Sequence, residues 1–105
     1  MILNIDLAGK ELVVTKAPEP KLFNKKPDEK PEQRRDKQSD EPLWTTQVVV
    51  TDDDGGTIIG INTAGEPPDV RVGDEVKVSG LVAIPWFTSG RNGIAYRAES
   101  IVVLD

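Results

Sequence analysis

Between Val70 and Ile84 apolar and polar residues alternate. Val76, Val78, Val82 and Ile84 share one parity with Gly80 between them, while Glu75, Lys77 and Ser79 take the other. A period of two is the mark of a half-buried strand, because successive side chains leave a pleated backbone on opposite faces. The Gly73-Asp74 pair precedes it as a turn, so the pattern predicts a strand over 74–86. Gly80 in its middle predicts a bulge or sharp coil, the device by which one strand serves two sides of a small barrel.

The same periodicity places four more strands. Leu3, Ile5 and Leu7 share a face, and after Gly9 the apolar parity moves to Leu12 and Val14. One extra residue at a glycine predicts one long bent strand over 2–16; a tight hairpin through Ala8-Gly9-Lys10 is the competing reading. Leu43 to Thr51 is rich in β-branched residues, and Thr57 to Asn62 follows it across Asp52-Asp53-Asp54-Gly55-Gly56. Asp-Gly between two such runs is a strong hairpin signal. Residues 63–69 form a connector too rich in proline for a long helix. Phe87 to Gly93 reads as a turn, and residues 93–104 as the last strand, with Tyr96 on the core side beside Ile94 and Ala98.

Residues 17–42 break the pattern. Five prolines (Pro18, Pro20, Pro27, Pro31, Pro42), many charges and only Leu22 and Phe23 as large apolar residues predict a long solvated loop. At most a turn or two of helix fits, over 32–38. Five strands (2–16, 43–51, 57–62, 74–86, 93–104) with a gap after the third fit an all-β, five-stranded Greek-key barrel of OB type, with the charged loop between strands 1 and 2. An SH3-like barrel or a small open sandwich fits the same count.

Composition narrows the chemistry. With 105 residues and 37% hydrophobic content, of which little is aromatic, the chain makes one domain over 1–105 with an aliphatic core. It has neither cysteine nor histidine. Disulfides, thiolate metal sites, the commonest general base and the usual zinc ligand are therefore missing, and no constellation suggests catalysis. The expectation is a non-enzyme without cofactor or metal. Asp52-Asp53-Asp54 supplies oxygen ligands, but without the spacing of a calcium loop it reads as an acidic turn. No basic-flanked leader and no membrane-length apolar run is present, which predicts a cytoplasmic protein.

Charge is uneven. The net value is −5, yet residues 16–41 hold eight basic against seven acidic residues, while 42–105 hold four against nine. An acidic body disfavours strong non-specific binding to phosphates. In OB folds ligands lie on strands two and three between the 1–2 and 4–5 loops, here residues 17–42 and 87–92. Lys21, Lys25, Lys26, Arg34 and Arg35 are candidates to follow a phosphate backbone, with Arg91 beside them. Phe87 is the better stacking candidate, because Trp86 shares parity with Val82 and Ile84 and equally suits the barrel end. Trp44 reads as a core or lid residue or as a stacking platform. Arg97 reads as a phosphate contact or as the partner of Glu99 in an ion pair.

Several segments carry a resemblance. Pro18-Glu19-Pro20-Lys21, Arg35-Asp36 through Pro42-Leu43-Trp44, Val72-Gly73-Asp74-Glu75-Val76, Leu81-Val82-Ala83-Ile84-Pro85-Trp86 and Gly93-Ile94-Ala95-Tyr96-Arg97-Ala98 resemble a family of small proteins encoded on actinobacterial plasmids and integrative conjugative elements, near replication and transfer genes. The outline is also similar to OB-fold single-stranded DNA-binding proteins. The resemblance spans most of the chain through diffuse, non-catalytic motifs. It implies an accessory of replication or transfer, such as a replication activator. Two functions follow. One is a module that binds single-stranded nucleic acid. The other is an adaptor whose long loop or strand edge docks on a replication or transfer protein, or on a second copy in a homo-oligomer.

Overall fold

The computed structural model describes residues 2–23 and 32–104. Among them there is no helix; the chain is all-β, in ten strands. These are β1 (Leu3–Asn4), β2 (Glu11–Pro20), β3 (Leu22–Phe23), β4 (Glu32–Gln33), β5 (Leu43–Asp52), β6 (Gly55–Ala64), β7 (Val76–Ser79), β8 (Val82–Thr88), β9 (Arg91–Arg97) and β10 (Ser100–Val103). Six of them form one curled, half-barrel sheet in the order β1-β8-β9-β6-β5-β2, and β7 pairs with β10.

The β5–β6 hairpin is the spine. Its register runs without interruption from Leu43↔Ala64 to Asp52↔Gly55; the predicted hairpin forms, but its turn is Asp53-Asp54 alone, and Gly55 and Gly56 belong to the second strand, expected to begin at 57. Val48 and Ile61, both fully shielded from solvent, project from it into a core that is almost wholly aliphatic. β2 lies on the far side of β5 and shifts register twice, after Val14 and after Lys16. Such bulges increase twist and bend a strand. The bend brings β2 to the approach to β7, where Val14 N–H donates to Asp74 O (2.9 Å) and Gly73 N–H to Val14 O (2.8 Å). On the other side, β6 meets β9 in parallel at Ile61↔Tyr96 and Asn62↔Arg97.

Gly80 decides which side of β8 faces inward. It has φ +67°, a left-handed conformation in which a Cβ is costly. It separates β7 from β8, and the parity changes across it. Val76 and Val78 are buried before it, but Leu81 and Ala83 after it. Of the predicted bulge or sharp coil, it is a sharp break that forms: Ser79↔Ser100 before it and Val82↔Arg97 after it keep one register, so no residue is inserted. The predicted continuation of the buried face through Val82 and Ile84 does not form: both stand on the outer face with Trp86.

Other expectations need correction. Residues 2–16 form neither one bent strand nor a self-paired hairpin. The Asp6 carboxylate accepts from Ala8 N–H (2.9 Å) and the chain turns at Ala8–Gly9. β2 already has β5 on one edge and the approach to β7 on the other, so β1 pairs with β8 instead (Leu3↔Ala83). β2 also runs on to Pro20, well past residue 16. Its prolines fall in the bulged part, where only β5 pairs with it and a missing N–H costs little.

The described part of 17–42 is an ordered ribbon, with no helix over 32–38. Leu22↔Gln33 and Phe23↔Glu32 pair. Lys21 N–H donates to Leu43 O (2.9 Å) and Leu43 N–H to Arg34 O (2.8 Å), which ties both arms to the start of β5. Finally, the β8–β9 turn is only Ser89–Gly90, with φ of +51° and +77°, the values a two-residue type I′ turn requires. Phe87 and Arg91 therefore sit on strands, and the single last strand expected over 93–104 is two: β9, which begins two residues earlier, and β10, which pairs with β7. The ribbon projects beyond the core, which leaves Ile94 55% exposed, while Tyr96 packs against the core as expected.

Candidate nucleic-acid interface

The parity change at Gly80 builds an outer face along β8 and β9. Val82, Ile84, Trp86 and Thr88 point outward on β8, opposite Arg97, Ala95, Gly93 and Arg91 on β9. Residues 32–38 arch above this face as a hook, and a groove of about 1550 Å³ runs between the two. Asn62 and Ala64 of β6 reach its edge. The groove thus crosses β8 and β9, not strands two and three of the expectation.

The hook is shaped by its own polar groups. Asp36 N–H donates to Glu41 O and Asp40 N–H to Asp36 O, each at 2.8 Å. The Ser39 hydroxyl donates to Asp36 Oδ2 (2.9 Å), and Arg35 Nη1 donates to Asp40 O (2.8 Å). The ribbon below it is bridged at Arg35↔Pro42. These bonds explain how a segment almost without apolar residues holds a shape: backbone groups that find no sheet partner are satisfied by Asp36 and Ser39.

Electrostatically the groove departs from the rest of the chain. Among the described residues five basic side chains line it (Lys21, Arg34, Arg35, Lys37, Arg97) against three acidic ones (Glu32, Asp36, Glu99), a balance of +2 in a protein of −5. Arg97 on the floor donates to Asp36 Oδ1 of the hook at 2.8 Å. That bond, followed by the one from Ser39, holds the Asp36 carboxyl well below the usual carboxylate range, and Asp36 in turn raises Arg97. Lys21 is half-buried. Its desolvation, and then the positive charge of Arg34, lower its pKa.

Trp86 is 45% exposed in the groove. Its indole lies across Gly93, where an added Cβ would come within 2.6 Å of the Trp86 ring. Gly93 is there because the ring needs the space, and the Asn92-Gly93 pair, which resembles a turn in sequence, is strand. The ring thus packs on Gly93 and stays partly exposed to the groove, so it is available for stacking.

Of the sequence candidates, the fold brings Lys21, Arg34, Arg35, Trp86 and Arg97 together. Phe87 is 74% exposed but lies on the opposite face of the ribbon from Trp86. Arg91 sits at the ribbon tip beside Thr88. Trp44 is outside the groove; its indole N–H donates to Gly65 O at 2.8 Å and pins the connector after β6. Lys25 and Lys26 lie outside the described residues. Arg97 pairs with Asp36 and not with Glu99. Lys37, Val82 and Ile84 were missed as lining residues; the left-handed glycine at 80 is the signal that puts the latter two on the outer face.

A second concavity lies at the opposite end of the core. A cup of about 430 Å³ is lined by Ile5, Leu7, Val50, Ile59, Leu81 and Tyr96. Lys10 and Asp52 pair at its rim (3.3 Å). Asp52 also accepts from Asp54 N–H (2.9 Å), which with Lys10 keeps its pKa low. Among the described residues no group of three or more His, Cys, Asp or Glu is placed to hold a metal ion, and no helix is long and apolar enough to cross a membrane. No family model, curated protein or solved structure matches the chain.

Proposed function

We propose that this chain is a non-catalytic, single-stranded nucleic-acid-binding module of OB type, accessory to plasmid or mobile-element replication or transfer. The OB reading is supported by the strand path: β2, β5 and β6 form a meander, β6 runs parallel to β9, and β7 with β8 carries the chain from β2 back beside β9. The biological setting rests on the resemblance of the segments quoted above.

The observation that carries the binding reading is the groove itself, a trough whose described lining is positively balanced and holds a partly exposed indole, in an otherwise acidic protein. Backbone phosphates would lie along Lys21, Arg34 and Arg35, with a base on Trp86. Charge holds the backbone while the ring takes an unstacked base, a combination that tolerates any sequence. The acidic exterior keeps the affinity low and confines nucleic acid to the groove.

The test is anisotropy of a fluorescent twenty-residue oligo-dT titrated with the protein at about 50 and 200 mM salt, the range over which counterion release is most visible. Binding that weakens with salt is expected. No binding even at the lower salt overturns the proposal.

A specific observation favours an adaptor as the second reading. Among the described residues β6 meets β9 only at Ile61 and Asn62, so the Gly55–Gly60 edge has no strand beside it next to the apolar cup. An open edge accepts an extended segment of a protein partner or of a second copy. Co-purification of a replication or transfer protein that survives nuclease and is lost on a Thr57→Pro change, which spoils the edge, would favour it.

A further inference from the structure

We infer that Asp36 is a built-in competitor for a phosphate, occupying an anion position on Arg97 that nucleic acid must take over. The inference rests on the binding role proposed above.

Arg97 has the placement of a phosphate contact. It stands on the groove floor beside Val82, on the same outward face of the β8–β9 ribbon as Trp86. Trp86 is four residue steps along β8 from Val82, about 13 Å of extended chain. A guanidinium is a preferred partner for phosphate oxygens, because its planar fork donates two parallel bonds. In this structure that partner is already an anion, Asp36 Oδ1 at 2.8 Å.

Asp36 is held for this position from behind. Its other oxygen, Oδ2, accepts from both the hydroxyl (2.9 Å) and the backbone N–H (3.3 Å) of Ser39. Its own backbone is bonded to Asp40 and Glu41. The carboxylate is thus presented by the hook as a fixed negative charge and does not merely wander near Arg97. Lys21, Arg35 and Lys37 also line the groove and draw a polyanion toward it, while the charge of Arg97 on the floor is offset by Asp36. A nucleic-acid strand gains the full charge of Arg97 by displacing the Asp36 carboxylate from it. The device also selects: a lone anion finds Arg97 occupied, whereas a polymer first held by the hook cations competes at high local concentration.

The experiment measures oligo-dT affinity and its salt dependence for the wild-type protein, Asp36→Asn, Arg97→Gln, Ser39→Ala and Asp36→Asn/Arg97→Gln. Freeing one cation for one phosphate steepens the slope of log affinity against log salt by about 0.7, equivalent to about fivefold tighter binding at 0.1 M salt. Asp36→Asn is expected to show that gain, the double variant to lose it, and Arg97→Gln to bind more weakly than Asp36→Asn. Ser39→Ala loosens the hook with the Asp36 charge kept, so a gain there equal to that of Asp36→Asn would overturn the inference by assigning the effect to hook mobility. If the wild type binds and Asp36→Asn binds equally or less well, the inference fails while the binding reading stands. If no variant binds, both fail.

Discussion

Replacing Gly80 tests the feature on which the whole outer face depends. At φ +67° a residue with a Cβ pays about 1–2 kcal/mol for the left-handed backbone. The added Cβ would also stand 2.7 Å from Glu99 Cγ and 2.8 Å from its carboxyl carbon, so the Glu99 side chain must swing aside. Against these, Gly→Ala restricts the unfolded chain and returns about 0.4–1 kcal/mol. Gly80→Ala should therefore lower stability by about 1–2 kcal/mol, and Gly80→Val by more, because a β-branched side chain is poorest at positive φ. For a domain of this size that corresponds to a fall in Tm of about 4–8 °C per kcal/mol. Glu99→Ala removes the obstructing atoms, so in a double-mutant cycle it should recover the steric share and leave the backbone share. Urea unfolding of the four proteins gives each value. A Gly80→Ala protein as stable as the wild type would refute the reasoning, since the parity change would then not depend on a left-handed residue.

Thr46 and Thr63 are buried with hydroxyls that have no hydrogen-bond partner. Thr46→Val keeps the shape and removes the orphaned group, so stability should rise by up to about 1 kcal/mol in urea unfolding; a loss would reveal a partner for that hydroxyl. The Asp36 carboxyl titrates below its ordinary value of 3.8, so its contribution is complete well above that value, declines as the pH falls from there toward the lowered value, and is gone below it. A carboxyl-carbon NMR titration should place its midpoint clearly under 3.8, and a midpoint at or above that value would contradict the Arg97 pairing. Trp86→Ala should weaken oligo-dT binding by about 5- to 150-fold, the worth of one stacked base at about 1–3 kcal/mol. Phe87→Ala, on the other face, should change it little. The reverse ranking in the same anisotropy assay would place the binding face on the wrong side of the ribbon.

Much of the fold is legible along the chain. The β-branched run at 43–51, the acidic turn and the second run at 57–62 declare the spine hairpin, because each step is local: side-chain period, strand propensity and turn chemistry agree. The sharp break at Gly80 was legible too, as a glycine inside an alternating strand. Its consequence was not. Whether parity continues or reverses across such a break depends on the backbone angle adopted, and that angle is set by what the two flanking strands pair with. Basic residues and aromatics were legible as candidates, but not which of them converge: Trp86 and Phe87 are adjacent in sequence and opposite in space.

The amino-acid sequence by itself determined an all-β chain with an aliphatic core and no histidine or cysteine chemistry. It also determined a charge distribution in which only one segment escapes the acidic balance. The tertiary structure decided which edges β1 and β2 pair with, which face of β8 looks outward, and that the charged segment folds back over that face through Asp36 and Arg97, residues 61 positions apart. The physical reason is range. Period and propensity act over a few residues, whereas edge pairing and a cross-chain ion pair depend on neighbours that only the completed sheet supplies.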